Sequence, residues 1–74
     1  MLVKFEVYHD GEAWCARGIG EDIFTHGASL DELIDNVKEA ASLHLEDLLE
    51  AGEDLHLLIF SEVNVKGVTS SAAS

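Results

Sequence analysis

The sequence predicts an α+β domain in which a single four-stranded sheet carries one long helix on one face, in the order β-β-β-α-β. Three observations predict it. Two segments near the N-terminus alternate apolar and polar residues around an Asp-Gly turn. One long central segment has apolar residues at helical spacing behind a capping signal, and a final segment returns to alternation. Alternation marks half-buried strands and the i, i+3, i+4, i+7 pattern marks an amphipathic helix. A layer of strands and a single helix must pack face to face to bury both apolar sides.

The elements follow in order. Leu2 to Tyr8 sets Val3, Phe5 and Val7 on one face and Leu2, Lys4, Glu6 and Tyr8 on the other. His9-Asp10-Gly11-Glu12 is a turn, because glycine accepts the positive φ that tight hairpins require. Ala13 to Arg17 is the returning strand, with Trp14 and Ala16 inward and Ala13, Cys15 and Arg17 outward. Gly18 to Asp22 reads as a turn and Ile23 to His26 as a short third strand. Ser29 and Glu32 form an S-x-x-E capping box, where each side chain satisfies the other residue's backbone N–H. Leu30, Leu33, Ile34, Val37, Ala41, Leu45 and Leu48 then make one apolar stripe, and Gly52 suits a helix terminator. A helix of about 22 residues is about 33 Å long. Leu55 to Val65 alternates again and reads as one long fourth strand. The organisation expected is one domain over residues 1–66 and a flexible tail over residues 67–74.

Composition narrows the function classes. Four Lys and Arg stand against 15 Asp and Glu in 74 residues, for a formal charge of -11. Binding to nucleic-acid phosphates needs a basic stripe that releases counterions, so direct DNA or RNA binding is not expected. Docking on anionic lipid needs clustered cations as well. The single cysteine, Cys15, forbids an internal disulfide and suits a reducing compartment. No apolar run reaches the length of a membrane span, and no signal-peptide pattern opens the chain, so a cytoplasmic protein is expected. A chain this small gains stability from a disulfide, a metal or a second subunit, which leaves self-association.

The chemistry-bearing residues assemble no familiar catalytic or cofactor motif. His9, Asp10 and Glu12 cluster in the first turn, but turn chemistry accounts for them without a metal. His44 falls on the apolar stripe of the helix, where a core-edge role is the ordinary one. Cys15 beside Arg17 has the neighbour that activates a thiol, yet a small, semi-buried strand residue explains it better. Gly18-Ile19-Gly20 opens like a phosphate loop but continues into Glu21-Asp22 and a strand rather than a helix N-terminus. No cofactor, metal or catalytic residue is expected. The carboxylates are more informative. Seven acids lie between Asp31 and Glu50 with Lys38 as the one cation. Like-charge pairs at i, i+4, such as Asp35–Glu39 and Glu46–Glu50, each cost a helix about 0.2–0.5 kcal/mol. Such a face either keeps the protein soluble or attracts a basic partner. The second sheet face, left without a helix, carries Tyr8, Cys15, Leu58 and Phe60 and is the expected contact surface between copies.

The stretches Phe5-Glu6-Val7-Tyr8-His9-Asp10-Gly11-Glu12-Ala13-Trp14-Cys15-Ala16, Thr25-His26-Gly27-Ala28-Ser29-Leu30-Asp31-Glu32-Leu33 and Asn36-Val37-Lys38-Glu39-Ala40-Ala41-Ser42-Leu43-His44-Leu45-Glu46 together resemble the HicB-like domains. The resemblance covers roughly residues 3 to 52. It implies a truncated ribonuclease H-like β-β-β-α-β core and a non-enzymatic antitoxin that binds a small basic RNA-cleaving toxin of the HicA type. Members of that family commonly have a proline-containing stretch between strands two and three, which Arg17 to Ile23 lacks. Many add a C-terminal DNA-binding segment, and the nine residues after Val65 give no reason to expect one here. On this reading Asp35, Glu39, Glu46 and Glu50 attract the basic partner, and Tyr8, Leu58 and Phe60 join copies of the chain. Two rival readings stay open: a stand-alone homo-oligomer with a structural or small-ligand-binding role, and a small hydrolase using His44 or the carboxylates.

Overall fold

The computed structural model describes residues 1–68. Its first strand, β1 (Leu2–His9), is the centre of the sheet's hydrogen bonding. It pairs antiparallel with β2 (Trp14–Ile19), which pairs antiparallel with β3 (Phe24–Gly27). On its other side β1 pairs parallel with β4 (His56–Phe60), giving the order β3-β2-β1-β4. Two antiparallel steps and one parallel step make β3 and β4 run the same way, so the chain must cross over between them. Helix α1 (Leu30–His44) and a short α2 (Glu46–Glu50) make that crossing. The four-stranded sheet with helix on one face is the α+β architecture the sequence predicts.

The first hairpin is held by Asp10. Its Oδ1 accepts from the N–H groups of Glu12 and Ala13, both at 2.8 Å, while Gly11 takes φ +99°. Ser29 caps α1 by accepting the Glu32 N–H at 3.1 Å. The return bond of the box, from the Ser29 N–H to the Glu32 carboxylate, is not among the bonds formed. The core is Val3, Phe5 and Val7 from β1, Ala16 from β2, Ile23 before β3, and Leu33, Val37 and Ala41 from α1. Each inward strand residue is the one its alternation assigns. Asn36 ties α1 to the sheet by donating from Nδ2 to the His26 carbonyl at 2.8 Å.

Three expectations are corrected. The helix is not one rod of about 22 residues, because Leu45 (φ -113°, ψ 31°) leaves the helical region. Its N–H closes α1 on the Ala41 carbonyl at 2.9 Å, and its own carbonyl accepts from Leu48 and Leu49 to start α2. The break turns Leu45 back against the core. It also places Glu46 and Asp47 in a first helical turn, where the positive end of the helix dipole favours carboxylates. The fourth strand ends at Phe60 instead of Val65. The register leaves Val7, Tyr8 and His9 opposite positions 61–63, so pairing stops three residues before β1 does, and positions 64 and 65 lie beyond the end of β1 altogether. Finally, Gly18 and Ile19 belong to β2 rather than to a turn, which begins at Gly20 with φ +83°.

Among the described residues no helix is long and apolar enough to cross a membrane. The tail expected over residues 67–74 falls mostly on residues 69–74, which lie outside the described residues.

Candidate interaction surface

The strand register decides which side chains share the face that no helix covers. Glu6 stands opposite Arg17 and Phe60, Lys4 opposite Ile19 and Leu58, and Tyr8 opposite Cys15. Arg17 in turn stands opposite Phe24, and Cys15 opposite His26. Leu2 and His56 form a further pair at the other end. Paired residues in a sheet point to the same side, so all of these belong to one open face. Six large apolar side chains on it remain exposed: Leu2, Tyr8, Ile19, Phe24, Leu58 and Phe60, with Phe24 the most open at 59%. A domain this small has little surface to spare for so many, and a grouped set of exposed apolar residues marks a contact surface.

Tyr8, Leu58 and Phe60, named from the sequence, all sit on this face and all are exposed. Leu58 and Phe60 flank Lys4 and Glu6 across the β1–β4 pairing, with Tyr8 one step further along β1. The sequence reading missed Ile19, assigned to a turn, and did not weigh Phe24. A signal for Phe24 was present: Ile23 and Thr25 alternate with it, and Ile23 is the buried partner. Charge on the open face is low. Glu6 accepts from Arg17 Nε at 2.7 Å and lies 2.6 Å from its Nη2, and Lys4 is the other cation.

The helical side is the opposite in character. Asp35 and Glu39 on α1 and Glu46 and Glu50 on α2 are all exposed. The break at Leu45 divides them into two pairs on two helices, rather than one row along a single helix as the sequence reading has it. Lys38 is the one Lys or Arg between Asp31 and Glu50.

The remaining candidates take structural roles. His9 accepts the Gly11 N–H on Nδ1 at 3.0 Å and packs edge-on against Trp14, and Asp10 caps the hairpin. Among the described residues no three His, Cys, Asp or Glu side chains gather where a metal ion would sit. His44 is more open than a core-edge role implies: it continues the line of Val37 and Ala41 but is exposed in the last turn of α1, with Nε2 3.7 Å from Glu21 Oε2. Cys15 is buried, and its Sγ lies 3.6 Å from Asp10 Oδ2. Burial pushes its thiol pKa up and the Asp10 charge adds to this, the reverse of activation. The backbone N–H of Ala13, then that of Glu12, holds the Asp10 carboxyl below its usual value.

A groove of about 740 Å³ runs between the helices and β4, lined by Lys38, Ala41, Ser42, Leu49, Asp54, Leu55, His56, Leu57 and Ile59. It exists because α1 lies over β3 and β2 and leaves β4 partly uncovered.

Comparison with known proteins adds one relative. Over 45 residues the chain is 40% identical to a protein of Archaeoglobus fulgidus described as a UPF0150 protein, a match spanning 61% of this chain and 68% of that one. No protein-family model matches the sequence, and no solved structure matches it.

Proposed function

This chain belongs to the UPF0150 family, and we propose that it is a non-enzymatic protein-interaction domain with two working surfaces. Copies associate through the open sheet face, and the acidic helical side binds a small basic RNA-cleaving protein of the HicA type, as an antitoxin would. The observation that carries this reading is the segregation of charge. A chain of formal charge -11 repels its own copies. The open face is where that repulsion is least, because Arg17 neutralises Glu6 and Lys4 stands beside them. The same face holds the exposed apolar groups whose burial drives association.

Among the described residues Asp35, Glu39, Glu46 and Glu50 form no ion pair, and Lys38 is the one Lys or Arg on the two helices. Fixed negative charge of this kind accelerates and selects encounter with a basic protein. The toxin assignment rests on the HicB-like resemblance of the sequence, and the acidic surface supplies the chemistry such a partner requires.

The test is co-expression with a small basic RNA-cleaving protein of the HicA type, followed by purification at low salt. A complex whose RNA cleavage is suppressed is expected. Reversing charge with Glu46→Lys and Glu50→Lys should weaken it by about tenfold or more, which is about 1.4 kcal/mol. Absence of a complex, or cleavage undiminished within it, overturns the antitoxin reading and leaves a stand-alone homo-oligomer.

A further inference from the structure

The strand pattern of the C-terminal segment continues past the sheet available to it. Glu62, Asn64 and Lys66 alternate with Val63 and Val65, a period that suits a strand with one apolar side. Residues 61–68 nevertheless form no regular structure, and Val63, Val65 and Val68 are 81%, 87% and 83% exposed. Val65 lies two positions beyond the point where β1 ends, so its own chain offers it no strand to continue along. Folding back onto its own β4 would need a tight turn at Ser61-Glu62, which lacks the Gly, Asn or Asp that two-residue hairpins demand.

Two features elsewhere match this segment. Among the described residues the outer edge of β4 is unpaired, since β4 hydrogen-bonds there only to β1. Beside that edge, on the helical side, the groove presents Leu55, Leu57 and Ile59 from below and Ala41 and Leu49 from the helices. A strand added next to β4 directs alternate side chains into this groove, by the same alternation that turns Leu57 and Ile59 toward it.

We propose that residues 62–66 of one copy add as a fifth strand to the β4 edge of a second copy, with Val63 and Val65 seated in its groove against Leu57 and Ile59. The exchange is reciprocal in a closed two-fold dimer. It is strand addition, in which backbone hydrogen bonds supply affinity and alternate side-chain pockets supply specificity. A second copy is the occupant for a reason of charge as well as shape. Glu62 and Lys66 cancel, so the segment brings no net charge to a surface that repels acidic chains. The proposal rests on the self-association reading but assigns it to an edge and a groove, apart from the open sheet face.

Amide hydrogen exchange on the full chain, at concentrations spanning its self-association measured by sedimentation, tests it. The amides of residues 62–66 and the outward amides of β4 are expected to gain about tenfold protection or more as copies associate. Val63→Lys with Val65→Lys, both at exposed positions and so compatible with folding, should abolish that protection and raise the dimer dissociation constant at least about tenfold. Association with residues 62–66 still exchanging at unstructured rates overturns the strand exchange and leaves the sheet-face dimer standing. A chain monomeric at every concentration overturns both.

Discussion

Arg17 and Glu6 lock β2 to β1 in the middle of the open sheet face, with Nε and Nη2 of the guanidinium 2.7 and 2.6 Å from one carboxylate oxygen. In the free chain this is a solvated pair, and Arg17→Ala should lower stability by only about 0.2–1 kcal/mol. In a dimer formed through this face the pair is covered, and removing Arg17 leaves Glu6 charged, buried and unpartnered. Arg17→Ala is therefore expected to weaken association by about tenfold or more, far beyond its effect on folding. Replacing both residues with Ala should recover much of that loss, because no orphan charge remains. Sedimentation and denaturant unfolding of the three variants separate the two effects.

Gly27 is predicted to tolerate no side chain. A Cβ there would stand 2.8 Å from the Leu33 nitrogen and 3.0 Å from its Cα, both backbone atoms of α1. The helix would have to lift off β3, and with it Leu33 and Val37 from the core. Gly27→Ala should cost about 1–3 kcal/mol. Thermal unfolding measures it, and a melting point unchanged from the parent chain would contradict the close approach of helix and strand.

Two phenylalanines should behave oppositely. Phe5 is fully buried under α1, and Phe5→Ala is expected to remove about 3–5 kcal/mol, enough to unfold so small a domain. Phe24 lies on the open face, and Phe24→Ala should change folding stability by within about 0.5 kcal/mol. Its effect is expected in the proposed self-association, where loss of an exposed aromatic from the open face should weaken a dimer formed through that face. Circular dichroism in denaturant and sedimentation distinguish the two outcomes.

What could be read from the sequence was whatever local pattern decides. Ser29 acts on a backbone group three residues away and Asp10-Gly11 marks its turn by residue type, so the helix start and the first hairpin were legible, whereas the bonds from Asp10 to Glu12 and Ala13 were not. The inward set Val3, Phe5, Val7, Leu33, Val37 and Ala41 follows from period alone. Leu45 is different: the apolar stripe runs through it without interruption, and only packing against the finite sheet bends the chain there. The end of β4 is different as well: the alternation runs on to Val65, while pairing with β1 stops at Phe60. The candidate contact face was legible in part. Tyr8, Leu58 and Phe60 follow from alternation, whereas Ile19 was hidden between two glycines that read locally as a turn.

Cys15 Sγ and Asp10 Oδ2 face each other 3.6 Å apart in the first hairpin, and the stability contributed by each group depends on pH in an opposite sense. Backbone N–H groups of Ala13 and Glu12 lower the folded pKa of Asp10. A depressed carboxylate contributes stability that is present above its unfolded value near about 3.9 and is lost as pH falls through the folded value. The thiol of Cys15 is raised, by burial first and by Asp10 second. That stability is complete below the unfolded thiol value of about 8.5 and is lost as pH rises through the folded one. Asp10→Asn should therefore lose stability relative to the parent at neutral pH, with the difference vanishing in acid. The same substitution removes a charge facing Cys15 Sγ 3.6 Å away, so it should speed alkylation of the folded thiol at mildly alkaline pH. In the parent chain that reaction is expected to be slow until denaturant exposes Cys15. Rapid alkylation of the native chain, or a stability gap between parent and Asp10→Asn that persists in acid, would show that the carboxylate and thiol are not coupled as the hairpin places them.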